Sequence, residues 1–290
     1  MTGTALSIVL VAAFLHAFWN YLTKKSLNKT AFIWWAILFS TIIFFPMFLY
    51  YWPTVTISSV GWICIVATGI FHALYFWFMG GAYQRGDLSL VYPISRGSGP
   101  MFVPILAVLL LNEQLSVSGA LGITLVIAGI FGIHLRSFSI QSMREPFLTA
   151  PGGASLWALC TGASTAGYSL VDKIGVNIVH PPLYIYLMYV ITLILLTPYV
   201  FVKTRRDLKK EWQINKLKIL MVGFLDLFTY LMILFALQIS KVSYVAAVRE
   251  VSIVFSALIG IVLLREKNAP QKLFGAILIC SGVVLIGLSR

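Results

Sequence analysis

The sequence predicts an all-α integral membrane protein, with ten transmembrane helices arranged as two inverted five-helix repeats. Three observations carry this reading. Of the 290 residues, 60% are hydrophobic and 10% charged, whereas soluble domains run at about 25% charged. Too few polar side chains exist to cover a soluble globule, and mean hydropathy is +0.94. The apolar residues gather into ten runs, each near the roughly 20 residues that cross hydrocarbon as a helix. The second half of the chain also repeats the first at an offset of 153 to 154 residues.

The first span covers residues 3–23. It has no basic segment ahead of it and is long enough to stay in the membrane, so it reads as a helix and not as a cleaved signal. Further spans lie at 31–51, 59–83, 88–111 and 115–135. The links "QRGD" and "NEQ" are so short that successive helices must be antiparallel neighbours. Residues 137–152 then separate a first repeat, 3–136, from a second, 153–289. The second repeat holds spans at 153–174, 181–202, 215–239, 242–264 and 270–288, with "KTRRDLKKEWQINK" expected as a loop. Continuous apolar runs of this length do not fit the alternation of a β-barrel. Cys64, Cys160 and Cys280 fall inside spans without metal-ligand spacing and read as small core residues.

The repetition is specific. Residues 109–135 match 262–288, placing Glu113 on Glu266, Gly122 on Gly275, Gly129 on Gly282 and Ile133 on Ile286. Upstream, His72 pairs with Asp226 and Ser89 with Ser243, and Arg96 aligns with Arg249. A repeat with an odd number of helices enters the membrane in opposite senses in its two copies, as in inverted-repeat transporters.

The net charge of +12 sits in short loops between spans. That is the placement of topology signals, not of a nucleic-acid surface. Sixteen loop Lys and Arg fall on one side of the ten spans and three on the other, with seven of the sixteen between 203 and 218. The positive-inside rule then puts both termini outside the cytoplasm. No phosphate-binding loop, nucleophile elbow, metal spacing or cofactor motif is present.

Polar groups within the spans are the candidate functional residues. The stretch "LVYPISRGSGPMFVP" (90–104) carries Arg96 among helix breakers. Pro93 and Pro100 remove backbone donors, and Gly97 and Gly99 permit non-helical dihedrals, so a local unwinding is expected there, lining a wet cavity. The equivalent "AAVREVSIVF" has neither Gly nor Pro and is expected to stay straight, with Arg249 and Glu250 at comparable depth. Intramembrane charges mark functional sites by default. Arg96 and Arg249 are candidates to attract an anionic group. His16 shares a helix face with Trp19 and Asn20, and His72 with Tyr75. His16, His72, Asp226 and Glu250 are candidates for proton coupling or gating. Tyr92, Tyr168 and Tyr230 lie deep enough to line a cavity. Asp172 and Lys173 read as interfacial anchors, and Glu113 and Glu266 as gate or topology residues.

Two five-helix repeats, "YPISRGSGP", the acid closing the fourth span in "LLLNEQLS" and its echo "LLREK" resemble the EamA-type branch of the drug/metabolite transporter superfamily. The resemblance covers nearly the whole chain. It implies a central cavity walled by spans 1, 3, 4, 6, 8 and 9, with spans 5 and 10 peripheral. Many members of the family resemble the reverse orientation, with both termini inside. The expected function is secondary transport, as an exporter of small polar metabolites such as amino-acid-like or carboxylate solutes, in the cell (inner) membrane. Protons are the candidate coupling ion, and the protein is expected as a monomer or weak dimer without cofactor. The alternative is an intramembrane enzyme acting on a lipid or isoprenoid substrate, using His16, His72 and Asp226.

Overall fold

A computed structural model describes residues 1–24, 26–54, 56–86, 88–134, 153–264 and 269–289. The described residues are helical, with no strand among them. The helices are α1 (Gly3–Lys24), α2 (Lys29–Ile43), α3 (Phe45–Tyr51), α4 (Ser59–Arg85), α5 (Leu88–Leu111), α6 (Val117–His134), α7 (Ala154–Gly175), α8 (Pro181–Ile239), α9 (Val242–Arg249), α10 (Val251–Leu264) and α11 (Ala269–Leu288). Among the described residues, six helical segments are long and apolar enough to cross a membrane, or seven if α2 and α3, bent by 44°, form one span.

Local chemistry sets the joints. Asn28 caps α2, its side chain accepting from the amides of Thr30 and Ala31. The same turn is pinned from α8, where fully buried Glu211 accepts from the amides of Leu27 and Asn28. At the end of α5, Asn112 takes a left-handed conformation (φ 52°), and the Glu113 amide donates back to the Ala107 carbonyl. The left-handed residue and the returning amide end the helix. This turn aims the Glu113 carboxylate at the start of α9, where it accepts from the amides of Val242 (2.6 Å) and Ser243 (3.2 Å). Glu113 is thus a helix cap supplied by the other repeat. Glu266, its equivalent, lies outside the described residues, as does the expected linker 137–152.

The stretch "KTRRDLKKEWQINK" is not a loop. It continues the first part of α8, a 59-residue run in which two helices meet at a kink at Asn215. Thr204, Leu208, Glu211 and Asn215 form its buried face, at i, i+4, i+7 and i+11, while most of its cations are exposed. A continuous amphipathic helix satisfies backbone groups that a loop would leave to water.

α7 packs against α4 and α5 at the centre of the molecule. It is rich in small and hydroxylated residues, and Thr161, Ser164, Thr165 and Ser169 are buried. Each hydroxyl bonds the carbonyl one turn earlier, such as Ser169 to Thr165 at 2.7 Å. Small residues with internally satisfied hydroxyls let helices approach closely where no lipid is met.

α6 and α11 cross with backbones nearly touching. A Cβ on Gly122 would lie 2.6 Å from the Gly282 carbonyl and meet Ile286, and one on Gly275 would meet Ile133 and the Gly129 carbonyl. Likewise Gly129 faces Ile279, and Gly282 faces Val126. Exchanging each residue for its repeat equivalent turns one set of contacts into the other. That reciprocity is the signature of a two-fold relation between equivalent surfaces.

Candidate functional site

The expected unwinding of α5 is not there. α5 is helical from Leu88 to Leu111 with Pro93, Pro100 and Pro104 inside it. The prolines fall at intervals of seven and four, so the carbonyls they leave without a helical partner share one face, which a bend accommodates without a break. The glycines serve packing. A Cβ on Gly97 would lie 3.0 Å from the Phe131 ring of α6, and one on Gly99 3.0 Å from the Thr165 methyl of α7. A Cβ on Gly162 of α7 would in turn strike Ser98 at 1.8 Å.

The interruption falls in the span expected to be straight. Helix geometry lapses at Glu250 (φ −71°, ψ −6°), between α9 and α10. The Glu250 amide donates to Ala247, and the Ile253 amide to Glu250, both across three residues instead of four. The cause lies across the repeats. Arg96 Nη2 sits 3.0 Å from Glu250 Oε2 and 3.3 Å from Ser252 Oγ. Residues two apart on a regular α-helix point roughly 200° apart. The turn at Glu250 lets both side chains reach one guanidinium. Glu250 is 2% exposed and Arg96 16%.

Arg249 has no such partner. Its repeat equivalent, Arg96, meets Glu250, but the residue equivalent to Glu250 is Gly97. Among the described residues Arg249 makes no ion pair. Its Nη2 lies 3.3 Å from the Tyr168 hydroxyl, with the guanidinium 5.9 Å from that ring.

Around Tyr168 an aromatic cluster closes on a buried acid. His72 stacks on Tyr168 with centroids 4.1 Å apart and meets Tyr230 edge-on at 5.4 Å. Tyr75 and Tyr230 each meet Tyr168 edge-on at 6.2 Å. His72 Nδ1 lies 2.9 Å from the Thr68 carbonyl, which can only accept. Nδ1 therefore carries the proton in the neutral ring and Nε2 is left as acceptor. Asp172, fully buried, accepts from the hydroxyls of Tyr184 (2.8 Å) and Tyr230.

Asp172 therefore corrects the expectation of an interfacial anchor. Acid beside lysine near a span end reads as interfacial, but Asp172 lies one turn from Tyr168 and turns inward with it. Lys173, on the next face, donates to the carbonyls of Leu237 and Ser240 (2.8 Å), closing the end of α8. Asp172, Tyr184, Thr68 and Ser252 are the polar partners that sequence reasoning missed. The i to i+4 pairing of Tyr168 with Asp172 was the signal for the first.

His16, Tyr75, Tyr92, Arg96, Tyr168, Tyr230, Arg249 and His72 come within electrostatic reach of one another in overlapping sets. Glu250 joins them, paired with Arg96 and also acting on its neighbour Arg249. Trp19 meets His16 edge-on at 4.8 Å and packs into the cluster of Phe32, Ala36, Ile219 and Val222. Asn20 turns back on its own helix, donating to the His16 carbonyl at 2.8 Å. Asp226 does not face His72. It accepts from Tyr189 at 3.0 Å, and the carboxylate acting on His72 is Asp172. Trp19 Nε1, Ser95 Oγ, Arg96 Nε and Thr229 Oγ1 are buried without a hydrogen-bond partner among the described residues. Such atoms are rare in folded proteins.

A solved crystal structure is similar to this chain, with a TM-score of 0.77 at 14% identity and 99% of each chain covered. Likeness at that identity speaks for the fold. The EamA-like transporter family matches residues 3–135 and again residues 153–288. With two matches taking in nearly its whole length, the chain belongs to the EamA-like transporter family and is a multi-pass membrane protein.

Proposed function

We propose that this protein is a secondary transporter exporting small polar solutes that carry a carboxylate, amino-acid-like compounds foremost. The observation behind this is the inequality of two equivalent arginines. Arg96 is neutralised by Glu250, while Arg249 points its guanidinium at the Tyr168 hydroxyl. A buried cation without a carboxylate is costly and is retained where an anion arrives. Arg249 offers a carboxylate a bidentate partner, with Tyr168, His72, Tyr75 and Tyr230 as walls. Tyr92, one turn before Arg96, borders the same centre.

Ten spans describe the chain in this reading. α2 and α3 form one bent span, α8 supplies two on either side of its cationic stretch, and α9 with α10 supplies one. The first repeat covers 3–136 and the second 153–289. The Arg96–Glu250 pair joins the repeats, and rocking between them gives alternating access. His72 beside Asp172 carries the coupling proton, with His16, Asp226 and Glu250 as further coupling or gating groups. The Lys and Arg bias supports both termini lying outside the cytoplasm, with the protein in the inner membrane as a monomer or weak dimer.

Counterflow into proteoliposomes with a panel of labelled amino acids and carboxylates tests this. Arg249→Ala should lower exchange more than tenfold, about 1.4 kcal/mol or more of binding, and Arg249→Lys should restore part of it. Full exchange by Arg249→Ala would remove Arg249 from the site. Chemical conversion of the label would point to the enzyme reading.

A further inference from the structure

A second site lies away from this centre, where α4 ends against α7 and α8. There a cavity of about 180 Å³ is lined by Trp77, Gly81, Gln84, Arg85, Trp157, Tyr199 and Lys203. We propose that it binds the phosphate of an acidic phospholipid headgroup at the membrane surface.

The site is built from the backbone outward. A Cβ on Gly81 would lie 2.3 Å from the Trp157 ring, so glycine is what lets that indole lie flat against α4. Trp157 also meets Trp77 edge-on at 5.4 Å. The fixed indole then seats Arg85, whose guanidinium lies 4.2 Å above it. Arg85 Nη1 donates to the Gly81 carbonyl at 2.9 Å. Two contacts thus hold the guanidinium in place and leave its other donors for a ligand. A planar fork held in this way suits the paired oxygens of a phosphate. Lys203 brings a second cation from α8, and neither forms an ion pair among the described residues. The carboxylates of the described chain are placed elsewhere, at Glu113, Asp172, Glu211, Asp226 and Glu250, with Asp207 held by Asn28.

Depth points to a lipid. Arg85 is the last residue of α4, Trp157 is in the first turn of α7, and Lys203 opens the cationic stretch of α8. Trp77, Trp157 and Tyr199 are the amphipathic aromatics of a headgroup layer. Exposed Arg205, Arg206, Lys209 and Lys210 follow on the same helix and draw an anionic surface toward the cavity. Cations serving only as topology signals need charge alone. The glycine, the indole and the seated guanidinium are superfluous to that role.

Thermal unfolding of the full-length protein in detergent tests the proposal, titrated with phosphatidylglycerol, phosphatidylcholine or inorganic phosphate. Phosphatidylglycerol should raise the midpoint saturably, and phosphatidylcholine and phosphate should not. Arg85→Ala with Lys203→Gln should raise the half-saturating concentration at least tenfold. Arg205→Ala with Lys209→Ala, outside the cavity, should move it less than twofold. Native mass spectrometry should show one retained anionic lipid lost in the first double variant, a readout that holds even if its stability changes. Equal loss in both double variants would make the effect diffuse surface charge and overturn the site. Saturation by inorganic phosphate would assign the cavity to a soluble phosphate, and stabilisation by phosphatidylcholine would overturn charge recognition. Each result is independent of the Arg249 exchange assay.

Discussion

Residues 88–111 and residues 242–264 are equivalent spans of the two repeats, and they behave opposite to their compositions. The first holds three prolines and two central glycines yet forms one helix. The second has neither type near its middle yet breaks at Glu250. Breakers only lower the cost of leaving the helix. In α5 the neighbours favour staying, because Gly97 and Gly99 admit Phe131 and Thr165. In the second span a buried charge pays for the departure, since one turn of irregular backbone brings Glu250 and Ser252 together on Arg96. Tertiary contact outweighs local propensity in both, in opposite directions.

Breaking the pair should produce the largest effect. Arg96→Ala leaves Glu250 buried without its cation, and losing one partner of a buried pair costs about 3–5 kcal/mol. The variant should unfold at markedly lower temperature in detergent. Adding Glu250→Gln should return most of that loss, since neither charge of the pair then remains. If the double variant is as unstable as the single, the pair does not hold the span in its interrupted form.

A smaller effect sharpens the glycine side. Gly99→Ala gains about 1 kcal/mol of helix propensity but places a methyl 3.0 Å from Thr165 Cγ2, and overpacking costs about 1–3 kcal/mol. A net loss of stability is expected, relieved by Thr165→Ser, which removes that methyl. Stabilisation by Gly99→Ala alone would show that helix propensity, not packing, governs the position.

The smallest effect falls on Ser252. Its 3.3 Å contact with Arg96 is long, so Ser252→Ala should cost about 0.5–1 kcal/mol by analogy with other single hydrogen bonds. The ion pair should survive it. A loss comparable to that of Arg96→Ala would mean that Ser252, and not the charge, anchors the turn.

The amino-acid sequence by itself determined the membrane setting, the two copies and the pairing of Arg96 with Arg249. Hydropathy and internal repetition are properties of the chain that no packing can alter. It also marked most of the central residues, because charge and imidazole inside an apolar run stand out without knowledge of neighbours. Only the tertiary structure decided their partners. Asp172 looked interfacial until α7 proved to be the central helix, and His72 met Asp172 instead of its repeat equivalent Asp226. Whether "KTRRDLKKEWQINK" was loop or helix depended on α2 lying against it to bury Leu208 and Glu211. Repeat symmetry fixes which positions correspond. It does not fix which of two corresponding arginines is neutralised, because one substituted position, Gly97 against Glu250, leaves Arg96 with a carboxylate and Arg249 without one.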